Sequence, residues 1–199
     1  LNCELSIVAM PFGLYVANDE GAHVTISSWR RVDDNAIPAR GKIVGTYVNS
    51  ALVKTDAERS GFDEAIVLNA DGHISEGSAA NVFLVREGKV LTPPVTDNIL
   101  EGVVRRTLIQ LLADEMGIEV IERSVDRTEL LVADEAFFAG TGMQMTAITR
   151  VDHRPIGSGQ MGPITRELRE LFYRVVRGRE AKYRHWCSPV FAADHAPAR

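Results

Sequence analysis

The chain has 199 residues, 45% of them apolar and 25% charged, and a net charge of −5; that balance suits one large or two small globular domains with a real core. No basic stripe speaks for nucleic acid, no apolar run approaches the ~18 residues of a membrane span, and no signal-peptide pattern is read. Cys3 and Cys187 stand near opposite ends, outside any C-x-x-C spacing, and the five histidines are scattered, so the expectation is a cytoplasmic protein without disulfides or a metal site.

In chain order, the patterning predicts strands over residues 4–16 and 23–28, separated by the turn-rich "ANDEGA". "RRVDDNAIPARG" reads as a polar loop. A helix is expected over 46–59, with Val48, Ala51, Leu52 and Thr55 on its apolar face and Gly61 as its stop. "EAIVLN" reads as a strand, "ADG" as a turn, and "ANVFLVREGKVLTPP" as a hairpin. The strongest helix is expected over 100–116, where Val103, Val104, Thr107, Leu108, Leu111 and Leu112 recur at helical spacing and Gly117 closes the run. "IEVIERSV" alternates like a strand, "DRTELLVA" is a short helix with Asp126 as N-cap, and "EAFFAGTG" is a strand running into a glycine-rich turn. A hairpin over 145–157 and an amphipathic helix over 163–177, with Pro163 in its first turn, complete the pattern before a loose tail. The fold class is α+β, strands and helices interleaved.

Four stretches carry possible chemistry. Lys42, with Tyr47 five residues on, follows a Pro-containing loop and precedes a helix. A lysine that forms an imine needs a rigid seat and a polar neighbour, and this one has candidates for both; an ordinary solvated lysine would read the same way. Lys54 and Lys89, on a helix and in a hairpin turn, read as solvated. Glu76, between Ser75 and Gly77 and ahead of an apolar strand, is either a turn residue facing water or a buried carboxylate that needs a cationic partner. "TDNILEGVVRR" opens the best helix, where free N–H groups and the helix dipole favour an anion. "FFAGTGMQMT" ends a buried strand in Gly140, Thr141 and Gly142, whose backbone N–H groups suit an anionic group. Each stretch also reads as a common structural feature.

Together, in this order and spacing, they resemble the class IV (fold type IV) pyridoxal-phosphate enzymes, most of all the branched-chain amino acid aminotransferases. The pattern K-x-x-G-x-Y is met by Lys42, Gly45 and Tyr47, and S-E-G followed by N-[VI]-F by Ser75, Glu76, Gly77, Asn81, Val82 and Phe83. L-[PE]-G-[IV]-x-R is met from Leu100 to Arg105, and D-E-x-F-x-x-G-T by Asp134, Glu135, Phe137, Gly140 and Thr141. The resemblance implies the C-terminal pseudo-barrel domain of that fold and pyridoxal 5'-phosphate as cofactor. It implies Lys42 as the internal-aldimine lysine and proton shuttle, Tyr47 near the cofactor's 3'-oxygen and Glu76 at its pyridine nitrogen. Leu100, Val103 and Val104 would cradle the phosphate. Thr141 would be a second phosphate contact and, with Gly142, would offer N–H groups to the substrate carboxylate.

The implied organisation is entry strands and an interdomain loop over 1–41, a cofactor-binding large domain over 42–189 and a loose tail over 190–199. The family's N-terminal small domain, which brings an arginine to the phosphate and side chains to the substrate carboxylate, is missing from this reading. Val104 stands where relatives often carry threonine. The implied reaction moves an amino group between a branched-chain or other hydrophobic L-amino acid and 2-oxoglutarate, in a homodimer or larger homo-oligomer. The alternatives are a D-amino-acid aminotransferase, an (R)-amine transaminase, an aminodeoxychorismate lyase, or a catalytically silent cofactor-binding fragment.

Overall fold

The computed structural model describes residues 3–11, 13 and 20–190. Among them, nine strands form one sheet: β1 (Ala22–Arg30), β2 (Glu64–Leu68), β3 (Ile74–Gly77), β4 (Asn81–Arg86), β5 (Lys89–Thr92), β6 (Val120–Glu122), β7 (Glu135–Gly140), β8 (Gln144–Val151) and β9 (Arg154–Pro155). The order across the sheet is β3-β2-β1-β8-β7-β4-β5-β6, with β9 paired to β8. β1 runs parallel to both its neighbours, β5 runs parallel to β6, and the remaining pairs are antiparallel. The α-helices among the described residues are α1 (Thr46–Arg59), α2 (Val103–Met116), α3 (Arg127–Leu130) and α4 (Pro163–Val176), with 3-10 turns at Val95–Asp97 and Ala181–Trp186.

The period of two along the strands sorts the apolar residues into separate layers. Val82, Leu84 and Phe138 join Val24, Ile66 and Ile74 in one cluster. Phe83 and Phe137, opposite each other in the β4–β7 ladder, turn the other way and stack with ring centroids 4.9 Å apart. Against them pack Leu108, Leu111 and Leu112 of α2 and Leu168, Leu171, Phe172 and Val175 of α4. α1 lies on a third, smaller patch made by Ala65 and Val67 of β2. Gly77 keeps β3 close to this core, because a Cβ there would stand 2.8 Å from the ring of Phe138.

Most expected elements form, with four corrections. Residues 4–11 have no strand structure, and Leu5, Ile7, Val8 and Met10 are exposed; β1 already has β2 and β8 on its two sides, so its hydrogen-bonding edges are taken. Residues 12 and 14–16, and all but Val190 of the expected tail, lie outside the described residues. α1 has the expected bounds but buries Thr46, Ser50, Val53 and Ala57, leaving Val48 and Leu52 on its open side. α2 begins at Val103 rather than Leu100. The segment read as a possible turn around Glu76 is strand β3, buried along its whole length. Two punctuation marks hold: Gly117 ends α2 in the left-handed region at φ 65°, and Asp126 stands at the N-cap of α3, although its side chain makes no capping hydrogen bond.

Candidate active site

Strand β3 carries Glu76 into the interior, where the residue is 4% exposed. A carboxylate there needs donors, and three are in place. Arg31 Nη2 lies 2.9 Å from Oε1, while Asn81 Nδ2 and the Leu100 backbone N–H each donate to Oε2 at 3.0 Å. Burial pushes the Glu76 carboxyl up to about 7, against the opposing pull of Arg31, the Leu100 N–H, Lys42 and Arg105. Arg31 is itself buried and donates from Nε to the Asn98 carbonyl at 2.9 Å. It had been hidden in the sequence inside a polar loop; the only trace was a buried-glutamate motif in want of a cation.

Asn81 binds two motifs together. Its Nδ2 also donates to the Leu100 carbonyl at 2.8 Å, so the carboxamide ties β4 to the approach to α2. This explains Gly102 more directly than close approach of a ligand does, because a Cβ at that position would sit 2.1 Å from Asn81 Oδ1. Past Gly102, α2 begins with no side chain among the described residues accepting from the N–H groups of Val103, Val104 or Arg105. Val103 is 67% exposed on this open end. The motif arginine, Arg105, points away into the protein, bonding the Pro93 carbonyl at 3.0 Å and Glu122 at 2.6 Å. Glu101 sits half-exposed at the rim and pairs with Arg40 at 2.6 Å.

Lys42 stands in the irregular segment before α1 and is exposed. Its Nζ lies 5.4 Å from the centroid of the Tyr47 ring, a distance that allows a cation–π contact. From the end of β7 come Gly140 and exposed Thr141. Lys42, Tyr47, Glu76, Leu100, Val103, Val104 and Thr141 all line one cavity of about 400 Å³, which also takes in Arg31, Ser50 and the β3–β4 turn. Gly142 does not line it. A larger cavity of about 540 Å³ beside His23 and Arg150 contains none of the motif residues, and one of about 620 Å³ on the far side of the α2 start shares only Val103 and Val104 with them.

The remaining motif residues are structural. Asp134 Oδ2 accepts from the Glu87 N–H at 2.7 Å, and the Glu135 carboxylate accepts from the N–H groups of Ile164 and Thr165 at the start of α4. Of the lysines read as solvated, Lys89 is exposed. Lys54 is not: its Nζ donates to the Asp63 carbonyl and lies 3.9 Å from buried Glu64.

The Amino-transferase class IV family matches residues 3–151. A probable branched-chain-amino-acid aminotransferase of Aquifex aeolicus is 46% identical over 188 residues, 94% of this chain and 60% of the relative. The crystal structure of a branched-chain aminotransferase from Thermoproteus uzoniensis with norvaline superposes with a TM-score of 0.88 at 44% identity, covering 92% of this chain and 60% of that one. The PLP-form (holo-form) of a branched-chain amino acid aminotransferase from Thermobaculum terrenum gives 0.86 at 42%, covering 92% and 59%. The chain thus spans about 60% of the length of the curated relatives it matches.

Proposed function

The chain belongs to the class IV aminotransferases, and from that premise we propose that it forms the cofactor-binding part of a pyridoxal-phosphate-dependent branched-chain aminotransferase. The observation that carries this is the convergence of Lys42, Glu76 and the open start of α2 on one cavity. The donor set fits the cofactor. The first N–H groups of α2 suit a phosphate. Glu76 offers about four acceptor positions as a carboxylate, and three donors occupy them, leaving one on Oε1 for a pyridine N–H.

When bound, pyridoxal phosphate supplies an electrophilic carbon and an electron-withdrawing ring. The protein's own residues do the rest. Lys42 Nζ would hold the cofactor covalently and, once released, act as the base at the substrate α-carbon. Tyr47 would orient that amine and meet the cofactor's 3'-oxygen. Glu76, held by Arg31 and Asn81, would keep a proton on the ring nitrogen. Val103 and Val104 would present the phosphate seat by backbone N–H groups, with Leu100, whose own N–H is taken by Glu76, lining it; the valine at 104 costs the site a hydroxyl donor and leaves the backbone one. Thr141 would add a phosphate contact and, with Gly142, face the substrate carboxylate.

The names of the relatives favour branched-chain amino acids as donors; the L configuration and 2-oxoglutarate as acceptor are further parts of the proposal. We extend the proposal to a cytoplasmic homodimer in which residues 42–189 form the large domain, and to full turnover only in a form as long as the relatives. The exposure of Lys42 and Thr141 favours that last point, since water weakens electrostatic contacts and admits hydrolysis; it equally favours the reading of a silent cofactor-binding module.

The deciding experiment assays this chain and a longer form side by side. Donors would be L-leucine, L-valine, D-alanine and an (R)-amine, with 2-oxoglutarate as acceptor, and aminodeoxychorismate would test lyase activity. The expected result is L-leucine and L-valine turnover, weak in this chain and strong in the longer form. Preference for D-alanine or the amine, or lyase activity, would reassign the substrate. Cofactor binding without turnover in either form would establish the silent module.

A further inference from the structure

Below the turn that joins β3 to β4 lies a second carboxylate, Glu64 at the start of β2, with no exposed surface. Oε1 accepts from the N–H groups of Ala65 at 2.8 Å and Ser78 at 3.4 Å, and Oε2 accepts from Ser78 Oγ at 2.9 Å. Lys54 Nζ, reaching over from α1, lies 3.9 Å from Oε2. All four groups can donate, and an ionised carboxylate can accept from every one of them. Burial raises its proton affinity, and the hydrogen bonds to Ala65 and Ser78 and the charge of Lys54 oppose that rise.

Ser78 is the point of contact with the site. It sits two residues beyond Glu76 and three before Asn81, and residues 78–80 form part of the cavity wall. The turn is closed by the Gly77 N–H to the Ala80 carbonyl at 2.7 Å. Glu64 holds both the N–H and the O–H of Ser78, so it takes the turn from behind and leaves its other side, with exposed Ala79, to the cavity. Through Lys54 the same carboxylate is tied to α1, the helix that carries Tyr47 and Ser50 into the cavity wall.

We propose that Glu64 is a positioning residue for the cofactor cavity, its buried carboxylate clamping Ser78 so that the β3–β4 turn holds Glu76 and Asn81 in register with α1. This rests on the cavity being the cofactor site. It acts through Ser78 and touches nothing that reacts. Glutamine at this position keeps the size but turns an NH2 toward Lys54 or the Ser78 N–H, groups that can only donate.

The test uses the whole chain, with Glu64→Gln, Glu64→Asp, Ser78→Ala and the Glu64→Gln/Ser78→Ala pair. Amide hydrogen exchange of the cofactor-free protein reads the turn, and titration with pyridoxal phosphate followed by absorbance reads the site. For Glu64→Gln, exchange over residues 77–81 should rise about tenfold while α4 amides keep their protection, and cofactor affinity should fall about tenfold, as for other residues that orient a ligating group. Ser78→Ala should weaken the cofactor with little change in melting temperature. The double variant should bind no worse than Glu64→Gln alone, and Glu64→Asp should recover part of the loss.

Additive losses in the double variant would overturn the proposal, as would parental cofactor affinity in both single variants. If Glu64→Gln does not fold, Ser78→Ala decides: unchanged turn exchange and cofactor affinity refute the clamp. If the unaltered chain binds no pyridoxal phosphate, the functional reading falls, while the exchange of residues 77–81 still judges the clamp.

Discussion

Helices α2 and α4 have the same length, 14 residues, and the same N-cap residue type, Gly102 and Gly162. Both glycines make room for a polar side chain: a Cβ at Gly102 would lie 2.1 Å from Asn81 Oδ1, and one at Gly162 would lie 2.1 Å from Glu135 Cδ. There the likeness stops. At α4 the Glu135 carboxylate sits on the first turn and takes the N–H groups of Ile164 and Thr165 at 3.1 and 2.7 Å. At α2 the neighbouring polar group is an amide turned aside to Leu100 and Glu76, and the first N–H groups open on the cavity with Lys42 and Glu76. A helix start whose donors are met by the protein's own carboxylate serves the fold. One with the same donors left to a cavity is available to the ligand proposed for it.

The largest expected effect is at the α2 end. Glu76→Gln keeps shape and removes charge, and turnover should fall about 10²- to 10³-fold, as when one preorganised electrostatic partner is lost, while pyridoxal phosphate still binds. Steady-state rates in the longer form and a cofactor titration measure both; unchanged turnover would dismiss Glu76 from the chemistry.

The same variant has a pH signature in cofactor-free protein. Burial raises the folded-state pKa of Glu76 from 4.5 to about 7, so its titration contributes stability that is fully present below about 4.5 and lost as pH rises through about 7. Glutamine does not titrate. The stability of the parent minus that of Glu76→Gln should therefore shrink from pH 4.5 to pH 7, read by urea unfolding at several pH values. A gap that widens would mean that Arg31 outweighs burial.

The α4 end should answer in the opposite currency. Glu135→Ala strands two N–H groups and should cost about 1–3 kcal/mol of folding stability, with cofactor affinity within about twofold of the parent. Urea midpoints and an absorbance titration decide it; a variant that stays stable but loses cofactor would erase the distinction between the two helix starts.

The smallest effect sharpens the comparison. Gly102→Ala forces Asn81 to move, and cofactor affinity should weaken about tenfold, equivalent to ~1.4 kcal/mol, because the amide would release Leu100 and Glu76 together. Gly162→Ala, by displacing Glu135, should lower stability and leave affinity alone. Equal effects of the two substitutions on affinity would show that the α2 start is no more a ligand seat than its counterpart.

Local physics made much of the fold legible. Proline at the first turn of α4, the left-handed glycine after α2, and the short apolar runs of β4 and β7 all act within a few residues of where they are written. The family resemblance likewise pointed to Lys42, Tyr47, Glu76, Leu100, Val103, Val104 and Thr141, which the fold assembles around one cavity, and to Gly142, which lies off it. The helix α1 marks the limit. Its bounds follow from local signals, but its apolar residues are spread around the axis, and the choice of Val53 and Ala57 over Val48 and Leu52 was made by the Ala65–Val67 patch of β2. Glu76 is a second case: the tripeptide S-E-G suits an exposed turn or a buried strand, and β2 pairing, together with Phe138 against Gly77, decided for the strand.

What the sequence by itself determined are the features held in short range: the type and approximate place of most elements, the order of the motifs and the family they resemble. Only the tertiary structure decided which charges are buried and with what. Arg31 reaches Glu76 from 45 positions away in the chain, Glu64 holds Ser78 from 14 away, and Glu135 caps a helix 29 and 30 residues on. Whether a carboxylate is solvated, paired or used as a cap depends on the dielectric and the donors around it, and those are set by chain segments that meet only when the sheet has formed.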